Sequence, residues 1–434
     1  MKKLIIITYY FPPCNLTSAN RTYSWANYLH NFGYYPIIIT RNWNVTIKTE
    51  IDIARSTGKE VEHLKYNNYE VFYLPYKQSL RDKILVTHGK NKMIFLRKIL
   101  TFFNQLSQFA IGLPNSFDGI YQFANKYLKK HSDEIDLLIV SANPFVLFKY
   151  GMKLSKKYKK KWIADYRDDW TTTDWERPKG IFNNIIFTLE KIKERKWVSS
   201  ASIVTSVSDY YTQKISNYTG VNGYVIINGF FHEEFFNLPK INPYQTFTIT
   251  YIGMLYNDQK IEIFIDGFKE FIKQRQYQIK IRLLFAGLGF IAEQKERVIK
   301  AMEGFENFIE ITNWLSRQDV IKTILQSHVL LLVPAENIKG VPSSKIYEYL
   351  ASGKSVILCP NDNDIMESIL KESFGNYICE TKNDVIEKLN YLWNKYKSNY
   401  DIDNVNNSLV YKYSRENQTR ILAELINKII NDNC

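Results

Sequence analysis

Apolar residues arrive in two patterns along this chain. Short runs, many of them β-branched, alternate with stretches in which apolar positions recur every three or four residues. Leu4–Thr8, Ile37–Thr40, Asp136–Ser141, Trp162–Ala164, Ile203–Val207 and Val225–Ile227 are of the first kind. A strand covered on both faces of a parallel sheet reads as such a continuous run. Between the first two runs, Tyr23, Ala26 and Leu29 keep helical spacing, Ser18 or Asn20 can cap that helix, and Gly33 ends it. Strand, helix, strand predicts the first unit of a doubly wound sheet. The pattern restarts with an alternating strand at Thr246–Ile252 and a helix at Ile261–Ile272. Further runs follow at Ile281–Ala286, Phe308–Ile311, Val329–Val333 and Ser355–Cys359, then a short one near Tyr377–Cys379. A long helical stretch, Tyr413–Ile430, closes the chain.

The expected fold class is therefore α/β. The chain's 434 residues are long for one domain and comfortable for two, and a hydrophobic content of 45% is enough for two cores. The expected division is a first domain at 1–238, a second at 246–405 and a final helix at 411–434, with a linker at 232–245 that holds Pro239 and Pro243. Residues 41–135 fit the pattern least. Arg81–Lys98 carries six basic residues and one acidic. Beyond it, Met93–Leu113 interleaves Ile94, Leu96, Ile99, Phe102, Phe103 and Phe109 with Arg97, Lys98, Gln105 and Gln108. That is a basic amphipathic helix suited to a membrane surface, or alternatively a core helix with a basic edge.

The net charge of +13 calls for an anionic partner. Nucleic acid, anionic lipid and phosphorylated substrates all qualify, but no nucleic-acid recognition motif or zinc spacing occurs, so nucleic acid is not expected. Cys14, Cys359, Cys379 and Cys434 are scattered and read as reduced thiols of a cytosolic protein. The histidines lack metal-ligand spacing, and no metal or cofactor is expected. The N-terminal apolar run is too short for a signal peptide, and nowhere do 18 uninterrupted apolar residues occur.

Two stretches carry candidate chemistry. The first is Gly340–Pro360, read as a loop, a helix capped by Ser343 or Ser344 and ended by Gly353, and a strand. A helix N-terminus behind small residues is a ready phosphate site. Lys345 in its first turn opposes the helix dipole unless it faces an anion. Glu348, three residues on, can accept hydrogen bonds from a ribose diol. The alternative is a solvated Lys345–Glu348 pair. The second stretch is Lys161–Thr171, where Asp165, Arg167, Asp168, Asp169 and Trp170 crowd a strand exit. Three carboxylates there repel one another unless they bind something or form a salt-bridged turn. The Tyr9–Arg21 loop and Asn143 leave other strand exits, where ligands sit in such sheets. Arg21 reads as an anion-binding group or a surface arginine. Gly287-Leu288-Gly289 reads as a turn.

KIYEYLASGKSVI resembles the donor-binding helix of GT-B glycosyltransferases of family 4, and Asp165, Arg167, Asp168 and Trp170 match the D-x-R-D-x-W motif of a bacterial polysaccharide-assembly branch, in which Arg21 also has a counterpart. The resemblance implies two Rossmann-like domains facing a cleft, with the last helix crossing back to the N-terminal domain. It implies a nucleotide-sugar donor, retention at the anomeric carbon and no metal. The donor side would comprise Gly253, Lys260, Glu336, Ser343, Ser344, Lys345 and Glu348. Asp165, Arg167 and Asp168 would be catalytic, and Arg21, Asn143 and Trp170 would serve the acceptor side. The chain departs from the family where Gly340 replaces the first Glu of E-x7-E, Met254 replaces a phosphate-binding Arg, and the first loop has no glycine. The expected activity is transfer of a hexosyl or N-acetylhexosaminyl group to an oligosaccharide or lipid-linked saccharide, at the inner face of the cell membrane against an anionic surface. A sugar-nucleotide epimerase and a catalytically silent nucleotide-sugar scaffold are the alternatives.

Overall fold

The computed structural model describes residues 1–44, 46–109, 115–177, 179–236, 239, 241–398 and 410–431. The chain forms two units, residues 1–227 with 416–434, and residues 228–415. The division falls ahead of the expected linker, of which residues 237, 238 and 240 lie outside the described residues, as do the expected limits at 238, 405 and 434.

The first unit is built on an eight-stranded sheet in the order β3-β4-β2-β1-β5-β6-β7-β8. Its strands are β1 (Lys2–Thr8), β2 (Tyr34–Arg41), β3 (Glu62–Lys65), β4 (Glu70–Leu74), β5 (Ile135–Ala142), β6 (Trp162–Tyr166), β7 (Ile203–Ser206) and β8 (Gly223–Val225). All neighbours run parallel except β3 and β4. In the centre, Ile6 lies between Ile38 and Ile139. Leu4–Ile7 are wholly buried because both faces of the sheet are covered. Helix α1 (Ala19–Tyr28) adds Trp25 and Ala26 to this core. The C-terminal helix Arg415–Asn431 adds Leu422, Ala423, Ile426 and Ile429, and Tyr34 Oη donates to its Asn427 Oδ1 at 2.8 Å.

Residues 41–135 hold what the apolar pattern does not announce. β3 is exposed throughout and pairs antiparallel with β4 at the sheet edge. Helix α2 (Leu80–His88) starts at Ser79, whose Oγ accepts from the Asp82 N–H at 3.2 Å. The expected amphipathic helix is α3 (Ile94–Phe109); residues 110–113 of that expectation lie outside the described residues. It packs on α2 and on α4 (Ile181–Val198).

The second unit has a six-stranded parallel sheet in the order β11-β10-β9-β12-β13-β14. Its strands are β9 (Phe247–Ile252), β10 (Ile281–Ala286), β11 (Ile309–Ile311), β12 (Val329–Leu332), β13 (Ser355–Leu358) and β14 (Tyr377–Ile378). Helix α5 (Ile261–Lys273) turns Ile261, Phe264, Ile265, Phe268 and Phe271 into the core. Helices α6 (Arg317–Gln326) and α7 (Ser344–Ser352) follow, and Gly353 closes α7 at φ 73°. Strand order reverses between β1 and β5 in one sheet and between β9 and β12 in the other, and ligands of open α/β sheets bind at such switch points, beyond the carboxyl ends of the strands. Among the described residues, no helix is long and apolar enough to cross a membrane.

Candidate functional site

In the second unit, Gly253 follows β9 and Gly287 follows β10, at φ 82° and 91°, a region that only glycine adopts cheaply. The two chain segments run close together. A Cβ on Gly287 would lie 3.6 Å from Gly253 Cα, and a Cβ on Gly253 would lie 3.6 Å from Lys345 Cε. Gly287 therefore belongs to the strand-exit cluster as well as to a turn. Lys345 stands in the first turn of α7 and reaches across the end of β9. Its Nζ donates to Tyr251 Oη at 2.8 Å and to Met254 O at 3.4 Å, and lies 4.0 Å from the Tyr251 ring centroid. Burial pushes this ammonium down to about 7, against the pull of Glu348. Ser343 occupies the N-cap position but makes no side-chain capping bond, so its hydroxyl is not consumed by the helix; Ser344 is the first helical residue.

Glu348 is not paired to Lys345. Its Oε1 meets Arg317 Nη2 at 2.8 Å, and Arg317 Nε donates to Glu234 Oε1 at 3.0 Å. Burial opposes the guanidinium charge, but the two carboxylates outweigh it and hold Arg317 above its ordinary range. Lys260 and Glu336, both expected on the donor side, form an ion pair with each other at the surface. Arg317, Tyr251 and Glu234 were not among the expected residues. Arg317 had a signal in the sequence. Like Lys345, it is a cation placed just after a serine in the first turn of a helix, where it opposes the dipole unless an anion sits beside it. Gly340, which precedes α7 and its Lys345, stands at φ 70°.

In the first unit the crowded strand exit divides into buried and accessible halves. Asp165 is fully buried and accepts from Arg21 Nη2 at 2.7 Å, Ser141 Oγ at 2.6 Å and Thr205 Oγ1 at 2.7 Å. Arg21, itself 2% exposed, also donates to Ile226 O at 2.6 Å. Both groups, expected as a catalytic carboxylate and an acceptor-side cation, have their hydrogen-bonding capacity taken up by protein partners. Trp170 is likewise core. It stacks on Phe145, with centroids 4.7 Å apart and planes 3° off parallel, and on Trp197. Asp168 and Arg167 pair with each other beyond the end of β6, with Asp168 half exposed and Arg167 Nε 3.0 Å from its Oδ2. Asn143, beyond β5, is exposed. Asp169, absent from the expected set, is pushed up to about 6 by burial, and its Oδ2 is buried with no hydrogen-bond partner among the described residues. From α4, Glu194 holds the segment in place, accepting from Tyr166 Oη at 3.0 Å and from the Thr171 N–H at 3.1 Å.

Among the described residues, no group of three or more His, Cys, Asp or Glu is placed to hold a metal ion. Cys14, Cys359 and Cys379 are buried and unbridged, and Cys434 lies outside the described residues.

No protein family and no curated protein matches the sequence. Solved structures do resemble it. Sucrose-phosphate synthase from Thermosynechococcus elongatus gives a TM-score of 0.64 at 11% identity, over 99% of each chain. The UDP-forming alpha,alpha-trehalose-phosphate synthase from Burkholderia vietnamiensis gives 0.62 at 12% identity, over 99% of each chain. HepE from Anabaena, in complex with UDP-glucose, gives 0.56 at 11% identity, over 99% of this chain and 100% of that one. At such identities the likeness is one of fold, an α/β protein with two parallel-sheet units of the kind found in GT-B glycosyltransferases.

Proposed function

We propose that this protein is a glycosyltransferase that moves a sugar from a nucleotide-sugar donor to a phosphorylated or lipid-linked saccharide, in the assembly of a bacterial surface glycan. The observation that carries this reading is Lys345. A buried ammonium lies across two close-approaching glycine turns at the switch point of the second sheet, and its hydrogen-bond acceptors among the described residues are a phenol and a carbonyl. A diphosphate placed there would meet that ammonium, the α7 N-terminus and the Ser343 hydroxyl. The same groups would stabilise the charge that develops as the nucleoside diphosphate leaves, without a metal. Glu348, oriented by Arg317, has its second oxygen to offer to a ribose diol. Two of the similar structures name UDP or UDP-glucose, so UDP-sugars are the first donors to test.

On the first unit, Asp168 is the carboxylate suited to an acceptor hydroxyl, with Arg167 holding it. Retention of anomeric configuration and transfer of a hexosyl or N-acetylhexosaminyl group belong to the same reading. So does a position at the inner face of the membrane. The test is a thermal-shift panel of nucleotide sugars followed by turnover with saccharide acceptors. A ligand at 100 times its dissociation constant stabilises the folded state by about 2.7 kcal/mol. A silent panel leaves only a scaffold; conversion of the donor without any acceptor makes the protein an epimerase.

A further inference from the structure

A cavity of about 920 Å³ lies wholly within the first unit, beside the exits of β1 and β5 and walled by α2 and α3. Four cations reach it, Lys77, Arg81, Lys90 and Arg97, against one acid, Asp82. Asp82 is already engaged, accepting from Tyr76 Oη at 2.8 Å and Ser79 Oγ at 2.8 Å and pairing with Arg81. Arg97 donates to the backbone carbonyls of Lys90 and Lys92, which neutralise no charge. The rest of the wall is rich in amides and hydroxyls, the groups that bind sugars. Helix α3 contributes Thr101, Asn104, Gln105 and Gln108 in line with Arg97, a set at helical spacing on one face.

The opposite face of α3 is apolar and exposed. Phe95 is 79% exposed and Phe103 58%, with Ile99 between them. The stripe continues onto α4, where Ile181 is 77% and Phe182 66% exposed. Phe102 joins the two helices, its ring 5.1 Å from that of Phe182. A contiguous apolar patch of this kind marks a docking surface. Lys83 on α2, Lys92 in the segment between α2 and α3, and Lys98 on α3 itself are exposed cations next to it in the chain. Apolar rings within a cationic fringe complement an anionic lipid surface.

We propose that α3 is a partition. Its polar face binds the phosphorylated saccharide head of an amphiphilic acceptor in the cavity, and its apolar face, with α4, lies in the anionic leaflet that carries the acceptor. This rests on the transferase reading, but the probes separate the two. Glucose 1-phosphate serves as the soluble head group, phosphatidylcholine vesicles with and without phosphatidylglycerol as the leaflet, and UDP as the donor-side control. Arg97→Gln should weaken glucose 1-phosphate binding about tenfold or more, with Arg97→Lys retaining most of it and UDP affinity unmoved. Phe95→Ser with Phe103→Ser should abolish flotation with phosphatidylglycerol vesicles while leaving glucose 1-phosphate affinity intact. The proposal is overturned if glucose 1-phosphate does not bind, or binds equally well to Arg97→Gln. It is also overturned if flotation is the same on neutral vesicles or survives loss of both rings, since the head group would then come from a soluble sugar phosphate. If UDP alone fails to bind while both other probes succeed, the transferase reading falls and this one stands.

Discussion

Arg21 and Asp165, 144 residues apart in the chain, meet at 2.7 Å with both side chains out of water. The pair joins α1 to the end of β6, and Ser141 and Thr205 bring β5 and β7 into the same network. Desolvating two charges is recovered only when geometry and further hydrogen bonds are good, and here every Asp165 oxygen is used. Removing one partner leaves an uncompensated buried charge. Asp165→Ala should therefore cost about 3–5 kcal/mol of stability, read from the urea midpoint. Arg21→Met combined with Asp165→Leu should recover a large part of that loss. A single variant of unchanged stability that nevertheless loses ligand binding would return the pair to the site.

The position of Asp165 also explains what the sequence could and could not disclose. Parallel strands were legible because both of their faces are covered, so Leu4–Thr8 and Val329–Val333 read as unbroken apolar runs. β3 was not, because Glu62–Lys65 is exposed throughout and takes its place by antiparallel pairing with β4. At the strand exit, residue types were legible and depth was not. β6 runs to Tyr166, two residues beyond the expected Ala164. Asp165 is thus a strand residue locked between neighbours, whereas Asp168 lies past the end and stays accessible. Spacing cannot tell the two apart; the length of the neighbouring strands decides it. The basic helix at α3 was legible from periodicity, but the exposed stripe on α4 that extends it was not, since Ile181, Phe182 and Ile185 look like core in a one-dimensional pattern.

Glu348 and Arg317 make the donor side testable in two steps. Glu348→Ala should weaken UDP binding by about 1.5–3 kcal/mol, the range for hydrogen bonds to a charged group. Arg317→Ala should produce a smaller loss, because it frees Glu348 to reorient while removing no ligand contact. Calorimetry with UDP and with uridine distinguishes this from a diphosphate effect, since both ligands carry the ribose and should lose equally. Unchanged affinity in Glu348→Ala would leave the carboxylate as a partner of Arg317 alone.

Asp168 offers a kinetic signature. Asp168→Asn keeps the shape and the contact with Arg167 but removes the charge. Donor affinity should hold while kcat and kcat/KM fall together by about tenfold or more, the mark of an interaction made mainly in the transition state. Asp169→Asn is the matching control. Its carboxyl is pushed up to about 6 by burial, so the wild-type stability contribution changes sign from the usual carboxylate. The folded state holds its proton to higher pH than the unfolded state does, and stability falls as pH rises from about 4 to 6. That decline should vanish in Asp169→Asn. If Asp168→Asn turns over at the wild-type rate, the motif is structural throughout.

Lys345 gives the sharpest pH dependence. Burial lowers its ammonium from 10.5 to about 7, so between those values the folded state binds fewer protons than the unfolded state. Stability should therefore rise with pH across that window, and the full cost of burying the charge is present below about 7. Ligand binding runs the other way. A diphosphate favours the charged form, so above pH 7 its binding must draw a proton from the buffer, and affinity should weaken as pH rises. Calorimetry of UDP at pH 8 in two buffers of different ionisation enthalpy reads that uptake as a difference in apparent binding heat. Lys345→Gln should abolish the difference and weaken UDP more than uridine. The phosphate's own titration is complete by that pH, so it contributes little to the signal. Equal heats in both buffers for the wild type would mean that Lys345 does not meet the diphosphate, and the donor side would have to be sought elsewhere on the second unit.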